Sequence, residues 1–64
     1  MSYLKQLVTE AFENASENGY TLSTLSNEEI AADMMECGAI DEDYTLEEVI
    51  PYVKEVREIR LRQL

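Results

Sequence analysis

Leu25-Ser26-Asn27-Glu28-Glu29-Ile30-Ala31-Ala32-Asp33-Met34-Met35-Glu36-Cys37-Gly38 is a helix with both of its ends written into the sequence. Ser26 and Glu29 have the spacing of a capping box: the serine oxygen accepts from a free backbone N–H of the first turn, and the glutamate reaches back to the cap. Leu25 and Ile30 flank that cap where a hydrophobic staple places its two members. Ile30, Ala31, Met34 and Cys37 then recur at the spacing of one helical face. Gly38 supplies the stop, because glycine enters the left-handed conformation that ends helices. The stretch predicts a helix over 27–37. Met34 and Met35 are neighbours, so one packs inward and the other is left as a soft contact at the rim.

The same start signal recurs downstream, with Thr45 and Glu48 as the box and Tyr44 and Val49 as the staple. Leu46, Val49, Ile50, Val53 and Val56 follow as an apolar stripe, which Tyr52 and Ile59 widen. Pro51 interrupts it. A proline inside a helix lacks a donor and clashes with the carbonyl four residues earlier, at a cost of ~3 kcal/mol. The third helix is therefore expected to kink at Pro51, or to split into a turn at 46–50 and a helix from 51. Upstream, Ser2 can cap a helix whose stripe is Leu4, Leu7, Val8, Ala11, Phe12 and Ala15, with Gly19 as its stop; this predicts a helix over 3–18. No segment alternates with the period of a strand. The fold class is all-α: a small three-helix bundle in which residues 1–64 form a single domain.

With 64 residues and one cysteine, the chain has no disulfide to staple so small a core. Histidine is absent, and no Cys/His cluster can hold zinc. Asp41, Glu42 and Asp43 do not begin a calcium loop, since Leu46 and Tyr52 stand where glycine and glutamate are required. No metal or other cofactor is expected. Catalysis has little to work with: no imidazole base, no glycine-rich phosphate loop, and too short a chain to wall a pocket around paired carboxylates. Cys37 lies at a helix C-terminus among acids, where a thiol is held in its unreactive form, and it is expected to be buried and inert. No apolar run is long enough for a membrane span, and no signal-peptide pattern opens the chain. The expectation is a cytoplasmic binding protein and not an enzyme.

Charge carries the functional signal. The formal net charge is −9. From Gln6 to Val53 there is no lysine or arginine, while the same stretch holds twelve carboxylates. Glu28, Glu29, Glu47 and Glu48 belong to first helical turns, where the helix dipole favours them. Glu10, Glu13 and Glu17 share one side of the first helix, and Glu29, Asp33 and Glu36 one side of the second. Like charges at this spacing destabilise a helix by ~0.2–0.5 kcal/mol per pair, so folding alone does not account for them. With Asp41, Glu42 and Asp43 they form the candidate surface for a protein partner, one whose own basic surface normally binds nucleic acid. Lys54, Arg57 and Arg60 invite the opposite idea, a DNA-reading third helix. The surrounding carboxylates would repel phosphate, so direct nucleic-acid binding is not expected; those cations are assigned to salt bridges with the chain's own acids. A different class of function is an adaptor that self-associates as a homodimer through Tyr52, Val56, Ile59 and Leu61, its acidic surface serving solubility.

In size and style the chain resembles the small acidic accessory proteins that bacteriophages make early in infection. The resemblance rests on the compact Met1–Leu64 frame, the acidic block and the helical segments Asn27–Cys37 and Thr45–Arg57. Several such proteins inhibit host nucleases, restriction or CRISPR complexes or the transcription machinery, some by mimicking DNA. The resemblance implies a stoichiometric inhibitor acting in the host cytoplasm.

Overall fold

A computed structural model describes residues 3–15 and 19–63. Its order is α1 (Tyr3–Asn14), α2 (Asn27–Glu36) and α3 (Leu46–Arg62), with no strand among the described residues. The chain is an all-α three-helix bundle.

Both capping boxes form. The Glu29 N–H donates to Ser26 Oγ at 3.2 Å, and the Ser26 N–H donates to Glu29 Oε1 at 3.3 Å. At α3 the Glu48 N–H donates to Thr45 Oγ1 at 3.3 Å, and the Thr45 N–H returns the bond to Glu48 Oε1 at 3.2 Å. The stop at Gly38 is equally definite. Its φ of 87° lies in the left-handed region, which lets the Gly38 N–H reach the Met35 carbonyl and the Ala39 N–H reach that of Met34. This is the Schellman arrangement, and it satisfies carbonyls that a helix end otherwise leaves open.

Helix α1 and Cys37 depart from the sequence reading, and for α3 one of the two alternatives is removed. Helix α1 stops at Asn14, and Ala15 lies in a bend. Asn14 has a side chain that competes for backbone hydrogen bonds, and residues 16–18 of the expected helix lie outside the described residues. Gly19 falls in the turn beyond, while Ser2, the expected cap, lies outside the described residues. Helix α3 is continuous through Pro51, so the split does not occur. Pro51 and Glu47 are both exposed, and the Glu47 carbonyl that loses its partner can turn to water. Cys37, expected to be buried, is exposed. It caps a helix that Gly38 then reverses, so the inward stripe of α2 ends one turn earlier, at Met34.

The core is built from Leu4, Val8, Ala11 and Phe12 of α1, Ile30, Ala31 and Met34 of α2, and Val49, Val53 and Val56 of α3. Ile40, from the connection that follows Gly38, completes it with only 1 % of its surface exposed. Met34 is buried and Met35 half-buried against the core, which settles which of the pair packs inward.

The path of the chain follows from a few contacts. Lys5 at the start of α1 pairs with Glu55 late in α3, at 3.4 Å. Asn14 and Ala15 share a surface cavity with Cys37 and Ala39, which lead into the start of α3. Helix α1 is thus antiparallel to α3. So is α2, whose first residue, Asn27, bonds Arg57. Both helices pack mainly on α3 and run in the same direction, so the segment that joins them must return along the length of the molecule. Tyr20 lies on that return. Its ring meets Phe12 of α1 edge to face, with centroids 5.6 Å apart, and its hydroxyl donates to Asp33 Oδ2 of α2 at 2.5 Å.

Candidate functional site

Antiparallel packing on α3 divides the molecule into two unlike ends. At one end lie the C-termini of α1 and α2, the loop from Gly38 to Tyr44 and the first turn of α3. Glu13, Glu36, Asp41, Glu42, Asp43 and Glu47 project there, all exposed. Among the described residues none of these side chains makes a hydrogen bond or ion pair. No cation belongs to this end: Lys5, Lys54, Arg57, Arg60 and Arg62 all lie at the start of α1 or in the second half of α3. Two helix C-termini bring the negative ends of their dipoles and the start of α3 one positive end, which leaves a net negative contribution. Neither α1 nor α2 has a basic residue in its last turn to offset them.

Not every carboxylate singled out in the sequence has the same freedom. Glu10 and Glu13 are exposed on the side of α1 opposite Leu4, Val8, Ala11 and Phe12, as their spacing predicts. Glu29, Asp33 and Glu36 share an exposed flank of α2. Glu29 is engaged in its capping box, and Asp33 accepts the Tyr20 hydroxyl. That hydrogen bond, with burial and then the nearby charges of Asp33 and Cys37, pushes the Tyr20 phenol up to about 12. Glu17 lies outside the described residues. Glu47 has the exposure and lack of partners that define the acidic end, yet its place in a first helical turn hides it behind an ordinary helix preference.

The cations do not do what the sequence suggests. Arg57 meets no carboxylate. Its guanidinium donates to the carbonyls of Thr21 at 3.4 Å and Leu25 at 2.8 Å, to that of Ser23, and to Asn27 Oδ1 at 3.1 Å. One side chain of α3 thereby fastens the returning segment and the start of α2. The fork geometry of arginine suits several acceptors at once, where a lysine offers a single charged point. Lys54, Arg60 and Arg62 make no ion pair among the described residues. The expected internal salt bridges of Lys54, Arg57 and Arg60 do not form among the described residues, although Glu58 stands one helical turn from Lys54.

The self-association set also changes. Val56 is buried at 4 % exposure, and Tyr52 packs half-buried against the core. Only Ile59 and Leu61 of that set are open to solvent. Arg57 draws the carbonyls of residues 21, 23 and 25 inward, and Leu22 and Leu25 stand exposed on the same segment.

The cavity beside Tyr20, about 160 Å³ and lined by Ala11, Asn14, Ala15, Tyr20, Cys37 and Ala39, is open to solvent and mostly apolar. It brings no acid–base pair together. Among the described residues no three potential metal ligands converge, and no helix is long and apolar enough to cross a membrane. Comparison with protein-family models, curated proteins and solved structures yields no match to this chain.

Proposed function

We propose that this chain is a cytoplasmic binding protein without catalytic activity, a stoichiometric inhibitor that docks its acidic end on a basic, nucleic-acid-binding surface of another protein. The observation that supports this reading is the gathering of Glu13, Glu36, Asp41, Glu42, Asp43 and Glu47 at one end, exposed and free of any cation. A surface that folding needed would show partners, and one kept only for solubility would not require the cations to be set apart. Carboxylates displayed in this way can occupy the sites where lysines and arginines otherwise hold phosphates, with steered approach and marked sensitivity to salt. The likeness in size and style to phage inhibitors agrees with this, and a host enzyme acting on nucleic acid is the corresponding partner.

A tagged chain incubated with bacterial lysate, washed at low and high salt and read by mass spectrometry, tests the reading. Recovery of nucleic-acid enzymes at low salt and their loss at high salt is expected. Reversing Glu36, Asp41 and Asp43 to lysine should abolish that capture. Capture insensitive to salt and to those reversals would refute electrostatic mimicry.

A further inference from the structure

Helices α1 and α2 both pack mainly on α3 and little on each other, which leaves a furrow between them. Tyr20 fills its middle, with its ring against Phe12 of α1 and its hydroxyl on Asp33 of α2. Toward the acidic end nothing as large follows. Ala11 and Ala15 on one side, with Cys37 and Ala39 on the other, leave the open cavity of about 160 Å³. An apolar cavity of ~150 Å³ holds a benzene molecule, so this one has room for one aromatic side chain. Water is poorly held there, because the Tyr20 hydroxyl is committed to Asp33 and only Asn14 brings an amide to the wall. Replacing such water by an apolar group gains affinity.

Charge decides what can carry that side chain in. Glu10 stands one helical turn before Asn14 on α1, and on α2 Glu36 adjoins Cys37. Both are exposed and make no hydrogen bond or ion pair among the described residues. Neither helix has a lysine or arginine beyond Lys5. An anionic group brought to the cavity would be repelled from both banks, whereas a cation beside the entering group would be drawn to them. The complementary occupant is therefore an apolar group set between positive charges. Tyr20 favours a ring over an aliphatic chain, since aromatic pairs of the kind it already makes with Phe12 attract beyond the area they bury. An apolar anchor seated in a pocket with a polar rim is also how protein interfaces concentrate their affinity.

We propose that the cavity beside Tyr20 receives one aromatic side chain of the basic partner, flanked there by lysines or arginines that face Glu10 and Glu36. The inference rests on the acidic end docking on a basic protein surface, and it names the apolar anchor of that contact.

Amide NMR spectra of the full chain, titrated with two short peptides, test the proposal. One peptide has phenylalanine between pairs of lysine and arginine; the other has alanine in its place. The phenylalanine peptide should bind at least about tenfold more tightly and shift the signals of Ala11, Ala15 and Ala39. Ala15→Leu and Ala39→Leu, each filling the cavity, should bring it down to the level of the alanine peptide, with helices retained by circular dichroism. Glu10→Gln with Glu36→Gln should weaken both peptides. Equal binding of the two peptides, lost at high salt, overturns the cavity's role and leaves electrostatic docking standing. A preference for phenylalanine that high salt and the glutamine variant leave intact overturns the basic partner as well. Absence of binding by either peptide overturns the proposal. So does benzene alone shifting the same signals as strongly, which would make the cavity a site for small apolar molecules, or their shifting on concentration without peptide, which would place a second copy there.

Discussion

Arg57 is the residue on which the chain's path depends. Its four acceptors lie between 30 and 36 positions away in sequence, so no local pattern announces them. Hydrogen bonds to a charged group are worth ~1.5–3 kcal/mol each, and unpaired acceptors add a cost of their own. Partial exposure reduces both here. Arg57→Ala is expected to lower stability by about 2–3 kcal/mol in urea unfolding, and Arg57→Lys to recover less than half of that loss, because a single ammonium cannot span three carbonyls. Equal stability of the lysine variant and the parent would show that charge, and not the fork, is what matters. Tyr20 offers a second test. Its phenol titrates near 12 in the fold against ~10 for an ordinary tyrosine, so the neutral form is the one the fold prefers. That preference is fully present below pH ~10 and is lost as pH rises from ~10 toward 12. Tyrosinate absorbance should show one of the four tyrosines ionising late, and the late component should vanish in Tyr20→Phe.

At the scale of the element, the ends of α2 and the start of α3 could be read from the sequence because their chemistry is local. A serine or threonine three residues before a glutamate, or a glycine after a stripe, carries its geometry within a few positions. Gly38 can be tested on that basis. A Cβ there would meet nothing within 4 Å, so Gly38→Ala should cost about 1–2 kcal/mol through its positive φ alone, measured by thermal unfolding, with Asn losing less. Pro51 gives the opposite sign. Restoring a donor toward the Glu47 carbonyl, Pro51→Ala should stabilise α3 by about 1–3 kcal/mol, and a loss of stability would mean that proline sets a bend the packing requires. What the sequence hid was whatever depended on distance. The end of α1 is hidden because Ala15 fits the apolar stripe, although the helix stops at Asn14. Ile40 belongs to none of the apolar stripes, yet the reversal at Gly38 carries it into the core. The free carboxylates of the candidate site were readable by residue, but their gathering at one end depends on α1 and α2 running in the same direction, which no spacing reveals.

For the whole molecule, the balance lies between a small core and an unneutralised surface. Buried valines, isoleucine, methionine and phenylalanine hold three helices whose exposed carboxylates repel one another at net charge −9. Salt shortens the reach of that repulsion, from a Debye length of ~30 Å at 0.01 M to ~10 Å at 0.1 M, and the longest dimension of the bundle is 32 Å. The melting temperature is therefore expected to rise as sodium chloride is added across that range. A fall would mean that attractive pairs such as Lys5–Glu55 outweigh the repulsion.

The return of the chain between α1 and α2 has one more consequence, for the way the molecule travels. Because it sets two helices parallel, six unpaired carboxylates gather at one end while no lysine or arginine lies there, so the charge is unevenly spread over the molecule in addition to its net value. For the basic partner proposed above, that unevenness would turn the protein in the partner's field before contact, with Asp41, Glu42 and Asp43 leading. Productive encounters then make up a larger share of collisions than random tumbling would allow.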